Sequence, residues 1–214
     1  MMGYTAFLSG ATMMPRGFGS MLSMLITGTL SNKIDNRLFV MFGLALIGGS
    51  SLVFGSLNLQ ISNMNIAIPN FFMGMGMGLS MVPIMNLSVD TLKNEQMTNA
   101  TGIQNLLKNI GSAVGTSLVA TMLTRFAQVH QNMLVGKLSE LNPAFIERIQ
   151  TTAGALSAYT EHSVAQYMAQ YSYYGQLIKQ STLWAFIDSF RIFGVLCLAV
   201  IPLLLLIKKI KKDA

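Results

Sequence analysis

The sequence predicts an all-α integral membrane protein with five spanning helices, and three observations carry that expectation. Charged residues make up only 10% of the chain against 52% hydrophobic ones, well short of the roughly 25% that a water-facing surface normally carries. Five segments, at about 5–30, 38–57, 65–88, 99–124 and 182–207, each reach the ~20 apolar residues that cross a hydrocarbon layer about 30 Å thick. Finally, the lysines and arginines of the short loops and the tail all fall on one side when the five segments alternate in direction.

Each element follows from the same pattern. The first segment runs from the uncharged start of the chain through Pro15 and Arg16, so it is the lip of a span and not a targeting peptide with a charged start. The second and third are nearly continuous apolar runs, the third interrupted by Pro69 and Pro83. The fourth is the most polar, and the fifth ends in a basic cluster. Strands of a membrane barrel would be half as long and strictly alternating, which excludes that architecture.

Short connections at 31–37, 58–64 and 89–98 join the first four spans, and a long one precedes the last. Lys33 and Arg37, Lys93, and Lys208, Lys209, Lys211 and Lys212 therefore share one side, expected to be cytoplasmic. The expected organisation is residues 1–127 as the four-span block, 128–180 as a partly helical extracytoplasmic loop, and 181–214 as the last span with a cytoplasmic tail. An odd number of spans and an outside N-terminus without a signal read as a piece of a larger protein of a bacterial inner membrane.

Several function classes drop out. The net charge of +6 owes much to the C-terminal lysines behind an apolar stretch, a membrane-flank pattern and not a nucleic-acid stripe. A single cysteine, Cys197, excludes disulfides and CxxC-type zinc or redox sites, and no cofactor is expected. An intramembrane hydrolase built on Ser20 would need a buried histidine, but His130 and His162 both lie in the long loop, where each reads as a lone surface residue.

Small residues mark the packing faces. Gly74/Gly78 and Gly111/Gly115 each stand four apart and put a smooth stripe on one helix face. The Gly74–Gly78 run alternates with methionine inside an apolar span, with no strand before it, so it is not a dinucleotide loop. Four ionisable residues resist a surface position: Arg16, Lys108, Asp188 and Arg191. A charge at mid-membrane costs several kcal/mol, so such groups face a polar cavity or pair. Asp188 and Arg191 share a helical face, which permits mutual neutralisation as an ion pair or a role at an outer gate. Around Lys108, Gln104, Asn105 and Asn109 make a polar helix that lines a path or carries interhelical hydrogen bonds.

Several of these features recur together. Gly3-Tyr4-Thr5, Gly10 and Pro15-Arg16-Gly17 resemble the tenth helix of the fourteen-helix drug:proton antiporters of the major facilitator superfamily, the EmrB-like branch. Gly28, Asn32, Lys33, Asp35 and Arg37 resemble that superfamily's cytoplasmic loop motif, with Asn32 where an acidic residue is common. Asn99 to Thr116 is similar to the thirteenth helix, with Lys108 where an arginine is common, and Asp188-x-Phe190-Arg191 to the start of the fourteenth.

The resemblance implies most of the C-terminal bundle of a major facilitator fold, lacking the N-terminal helices of the same transporter. It also implies proton-coupled export of hydrophobic or amphipathic compounds by alternating access, and in two-membrane cells a periplasmic adaptor and an outer-membrane channel as partners. The alternative is a small stand-alone membrane protein with an assembly or regulatory role. In the long loop, Tyr167, Tyr171 and Tyr174 recur at helical spacing, either as interface anchors or on a solvated cap.

Overall fold

The computed structural model describes residues 6–31, 34–57, 63–89, 92, 96–136 and 143–206. Six helices follow one another: α1 (Ala6–Leu30), α2 (Asn36–Phe54), α3 (Asn63–Val89), α4 (Met97–Val135), α5 (Pro143–Leu156) and α6 (His162–Leu206), with no strand among the described residues. The chain divides into two compact units, Met1–Ser117 with Ser189–Ala214, and Leu118–Asp188.

Among the described residues, four helices are long and apolar enough to cross a membrane: Asn36–Phe54, Met64–Ser88, Met97–Val135 and His162–Leu204. The expected fifth, α1, is long enough at 25 residues. Its Pro15, Arg16 and many Gly, Ser and Thr residues dilute its apolarity. The long loop also differs in form. The segment expected at 99–124 continues as helix to Val135 in α4, and the segment expected at 182–207 begins its helix at His162 in α6. At 39 and 45 residues, both exceed the ~20 a crossing needs.

In the first unit, α3 packs on both α1 and α2. Its glycines explain how. Residues four apart share a helical face and those two apart take opposite faces, so Gly74 and Gly78 meet α1 while Gly76 meets α2. A Cβ at Gly74 would collide with the Arg16 carbonyl oxygen, and one at Gly78 would stand 2.6 Å from the Ser20 carbonyl. On the opposite face, a Cβ at Gly76 would lie 2.6 Å from the Gly43 carbonyl and 3.0 Å from the Ile47 nitrogen. Polar side chains at these contacts turn inward to their own helices: Ser23 Oγ donates to Ser20 O at 3.0 Å, Thr27 Oγ1 to Ser23 O at 2.7 Å, and Ser80 Oγ to Gly76 O at 2.8 Å. That satisfies them without water. Asn70 donates across the interface, Nδ2 to the Thr12 carbonyl at 3.3 Å.

α2 and α6 also touch, by a reciprocal fit of small and large residues. A Cβ at Gly48 would stand 3.1 Å from the Gly194 carbonyl, and one at Gly194 would stand 3.0 Å from the Gly48 carbonyl. The Phe54 and Phe190 rings lie 5.1 Å apart beside them.

The second unit has its own core, where Ile149 and Ala153 of α5 meet Ala169 of α6. Phe145 and Tyr173 stack edge-on at 6.0 Å, and the Tyr173 hydroxyl lies 3.0 Å from Thr152 Oγ1. Tyr167 and Tyr171 point away from this core, 75% and 79% exposed.

Candidate functional site

The residues singled out by charge separate into distinct environments. Arg16, half-buried on α1, reaches α3, where its Nη2 donates to the Met77 sulfur at 3.2 Å. A thioether is a weak acceptor, so the contact steers the guanidinium more than it binds it. Lys108, Asn105 and Asn109 are exposed on α4, and no described residue of that helix is buried. Gln104 is half-buried, its Nε2 3.5 Å from Ser88 Oγ of α3.

Glycine contacts divide the same way. Gly74 and Gly78 are packed against α1, whereas a Cβ at Gly111 or Gly115 would meet nothing within 4 Å. Among the described residues nothing covers the stripe on α4, and that helix has no buried residue.

The structure gives Asp188 and Arg191 each a contact with another helix. Arg191 donates its Nε to the Gly55 carbonyl at 2.8 Å. Gly55 is the C-cap of α2, where carbonyls lack intrahelical donors and the helix dipole favours a cation. Asp188 meets His130: its Oδ2 lies 2.7 Å from His130 Nε2, with the two side chains 30% and 21% exposed. Trp184, one turn before Asp188, places its ring 5.9 Å from the imidazole. His130 is thus not the lone surface histidine that its position in the long loop suggested. The prolonged α4 carries it to α6.

Of the loop motif, Gly28 is exposed at the end of α1, Asp35 occupies the N-cap of α2 with φ −56° and ψ 123°, and Arg37 lies in its first turn. Asn32 and Lys33 lie outside the described residues, as do Gly3, Tyr4, Thr5, Lys93 and the tail lysines. Close by, Ser31 donates to Asn36 Oδ1 at 2.7 Å and accepts from Asn86 Nδ2 at 3.4 Å. The second unit adds a cleft of about 580 Å³ lined by Phe145, Ile149, Gln150, Gln166, Gln170 and Tyr174. Among the described residues no cluster of three or more His, Cys, Asp or Glu side chains could hold a metal.

Sequence reasoning missed the contacts of His130, Trp184, Gly55 and Gly76. For the first two no local signal existed, since 58 positions separate His130 from Asp188. Gly76 was visible as the middle of three alternating glycines, whose two-residue offset puts it on the face opposite the other two.

These features define a polytopic all-α membrane protein whose helices meet through bare backbone. Residues 1–116 match the family described as the Major Facilitator Superfamily. The chain belongs to that superfamily. It is 24% identical over 217 residues to the uncharacterized MFS-type transporter YhcA of Bacillus subtilis, covering 100% of this chain and 40% of that protein. It is 30% identical over 146 residues to the probable multidrug resistance protein EmrY of Escherichia coli, covering 67% of this chain and 28% of the relative. A multidrug resistance protein B homolog of Mycobacterium tuberculosis is 33% identical over 122 residues, covering 54% and 22%. The chain therefore spans well under half the length of these curated relatives. No solved structure matches it.

Proposed function

We propose that this chain supplies helices to a proton-coupled multidrug exporter, which moves hydrophobic or amphipathic compounds out of the cytoplasm by alternating access. In this reading the chain is most of one helical bundle, and the remaining helices precede it in the same transporter. The observation that carries it is α4. This helix bears Gln104, Asn105, Lys108 and Asn109 and a glycine stripe, yet buries none of its described residues. A helix so polar is expensive to leave facing lipid, and its small residues suit close helix contact. Cover by further helices, around a polar path, answers both demands. The names of the relatives, multidrug resistance proteins among them, support drugs as the substrate class.

Arg16 and Lys108 are the cavity candidates, each about a dozen residues into its helix and so some 15–18 Å deep. The side bearing Lys33 and the tail lysines faces the cytoplasm. In a two-membrane cell the exporter would sit in the inner membrane and pass substrate to a periplasmic adaptor and an outer-membrane channel.

Accumulation of a hydrophobic dye tests the reading, in cells carrying either this chain or its reading frame extended upstream. The extended protein lowers dye several-fold and a protonophore abolishes the difference, while the chain alone matches the empty vector. Efflux by the chain alone overturns the shared-bundle reading, and an inert extended protein overturns the drug-export reading.

A further inference from the structure

We propose that His130 and Asp188 form a proton-binding pair whose occupancy sets how tightly α4 and α6 are held together. The contact is 2.7 Å, between His130 Nε2 and Asp188 Oδ2, and neither side chain is more than about a third exposed at 21% and 30%. That distance is the short range of charge-assisted hydrogen bonds. The imidazole is held from two directions by one helix. Asp188 and Trp184 stand one turn apart on α6, and the Trp184 ring lies 5.9 Å from the imidazole ring, within the distance at which an indole attracts a cation.

Both contacts depend on the same proton. With the imidazole protonated, Nε2–H⁺ faces a carboxylate and the ring charge faces an indole. With the proton gone, the pair survives only in the tautomer that keeps hydrogen on Nε2, and then as a hydrogen bond from a neutral donor. In the other tautomer two lone pairs face each other. Histidine is the side chain whose charge changes within the physiological range, so the joint tightens as pH falls and loosens as it rises. Nothing else is consumed or released. One proton binds a ring nitrogen and leaves it again.

Other charges lie on the same helices. Arg125 lies earlier on α4, His162 and Lys179 lie earlier on α6, and Arg191, one turn beyond Asp188, donates to the Gly55 carbonyl. On α5 the charged residues are Glu147 and Arg148, both exposed. Gln131, next to His130, adds a proton-independent tether, its Nε2 3.4 Å from the Tyr174 hydroxyl, so loosening at His130 does not mean separation along the whole contact. The pair stands on its own geometry and does not require the transport reading. In a proton-coupled exporter it is a place where α4 and α6 register the external proton concentration.

The test is a distance measurement on the whole chain in lipid nanodiscs. Spin labels go at Met133→Cys and Tyr171→Cys, both exposed positions at 67% and 79%, in a Cys197→Ser background. Between about pH 5 and pH 8 the population with widened α4–α6 spacing grows about fivefold, the ratio expected between charged and neutral hydrogen bonds. His130→Gln is wide at both pH values, His130→Lys is narrow at both, and His162→Gln behaves as the parent. A parent distance that ignores pH, or a pH response that persists in His130→Gln or His130→Lys, overturns the proposal. Should His130→Gln fail to fold, His130→Lys alone decides between these outcomes. Dye efflux plays no part in the readout, so failure here and failure of the exporter reading are separable.

Discussion

Arg191 of α6 closes the end of α2, its Nε donating to the Gly55 carbonyl at 2.8 Å. The terminal carbonyls of a helix are among its unsatisfied acceptors, and a cation there also opposes the negative end of the dipole. Arg191→Gln should lower the thermal stability of the purified chain by about 1–2 kcal/mol, the low side for a hydrogen bond to a charged group because Arg191 is exposed. Arg191→Lys should recover part of the loss, since the ammonium keeps the charge without the same reach. Equal melting of the parent and Arg191→Gln in detergent would remove this role.

Glycines of α3 and α4 should answer substitution in opposite ways. Gly74→Val or Gly76→Val places a side chain against a backbone carbonyl and should cost about 1–3 kcal/mol, the usual penalty of overpacking. Gly111→Val and Gly115→Val meet open space in this chain and should leave its melting nearly unchanged. In the upstream-extended protein the α4 variants should become disruptive, if further helices cover that stripe. Melting curves of the four variants in both contexts check the contrast.

Neutralising the two cations within the spans tests the path. In the extended protein, Arg16→Gln or Lys108→Gln should reduce efflux about tenfold, equivalent to ~1.4 kcal/mol, at unchanged membrane abundance. Normal resistance in both variants at equal abundance would leave these charges as braces between helices.

Topology is checked by labelling. In a Cys197→Ser background, Ser163→Cys at the start of α6 should react with an impermeant maleimide added to intact cells, and Asp35→Cys before α2 only after lysis. Both positions are exposed, so access, not burial, decides the result. The reverse pattern would invert the orientation.

How far the sequence foretold these features depends on what each signal measures. Apolarity tracks contact with lipid, and where helix and apolar run coincide the boundaries are readable: the run at 5–30 is helical over Ala6–Leu30 and the run at 65–88 over Asn63–Val89. In α4 and α6 apolarity fades while backbone hydrogen bonding continues, as far as Gly136 in one direction and back to His162 in the other. Hydropathy cannot report that. Among the candidate residues, Arg16 announced itself as a charge inside an apolar run. Its orientation toward Met77 did not, and neither did the meeting of His130 with Asp188, which needs α4 to be prolonged past its apolar stretch. The α-helical offset between Gly74 and Gly76 was available in the sequence, and it foretells two packing faces once the segment is taken as helical.

The two glycine faces of α3 make that helix a gauge block. Where side chains separate two helices, the gap can drift as one apolar residue replaces another and its neighbours repack. Between α1, α3 and α2 the distance is instead set by the thickness of polypeptide backbone, a quantity that no substitution can shrink and that any added carbon enlarges. Met75 and Met77 carry flexible side chains beside these faces, while the dimension they decorate stays constant.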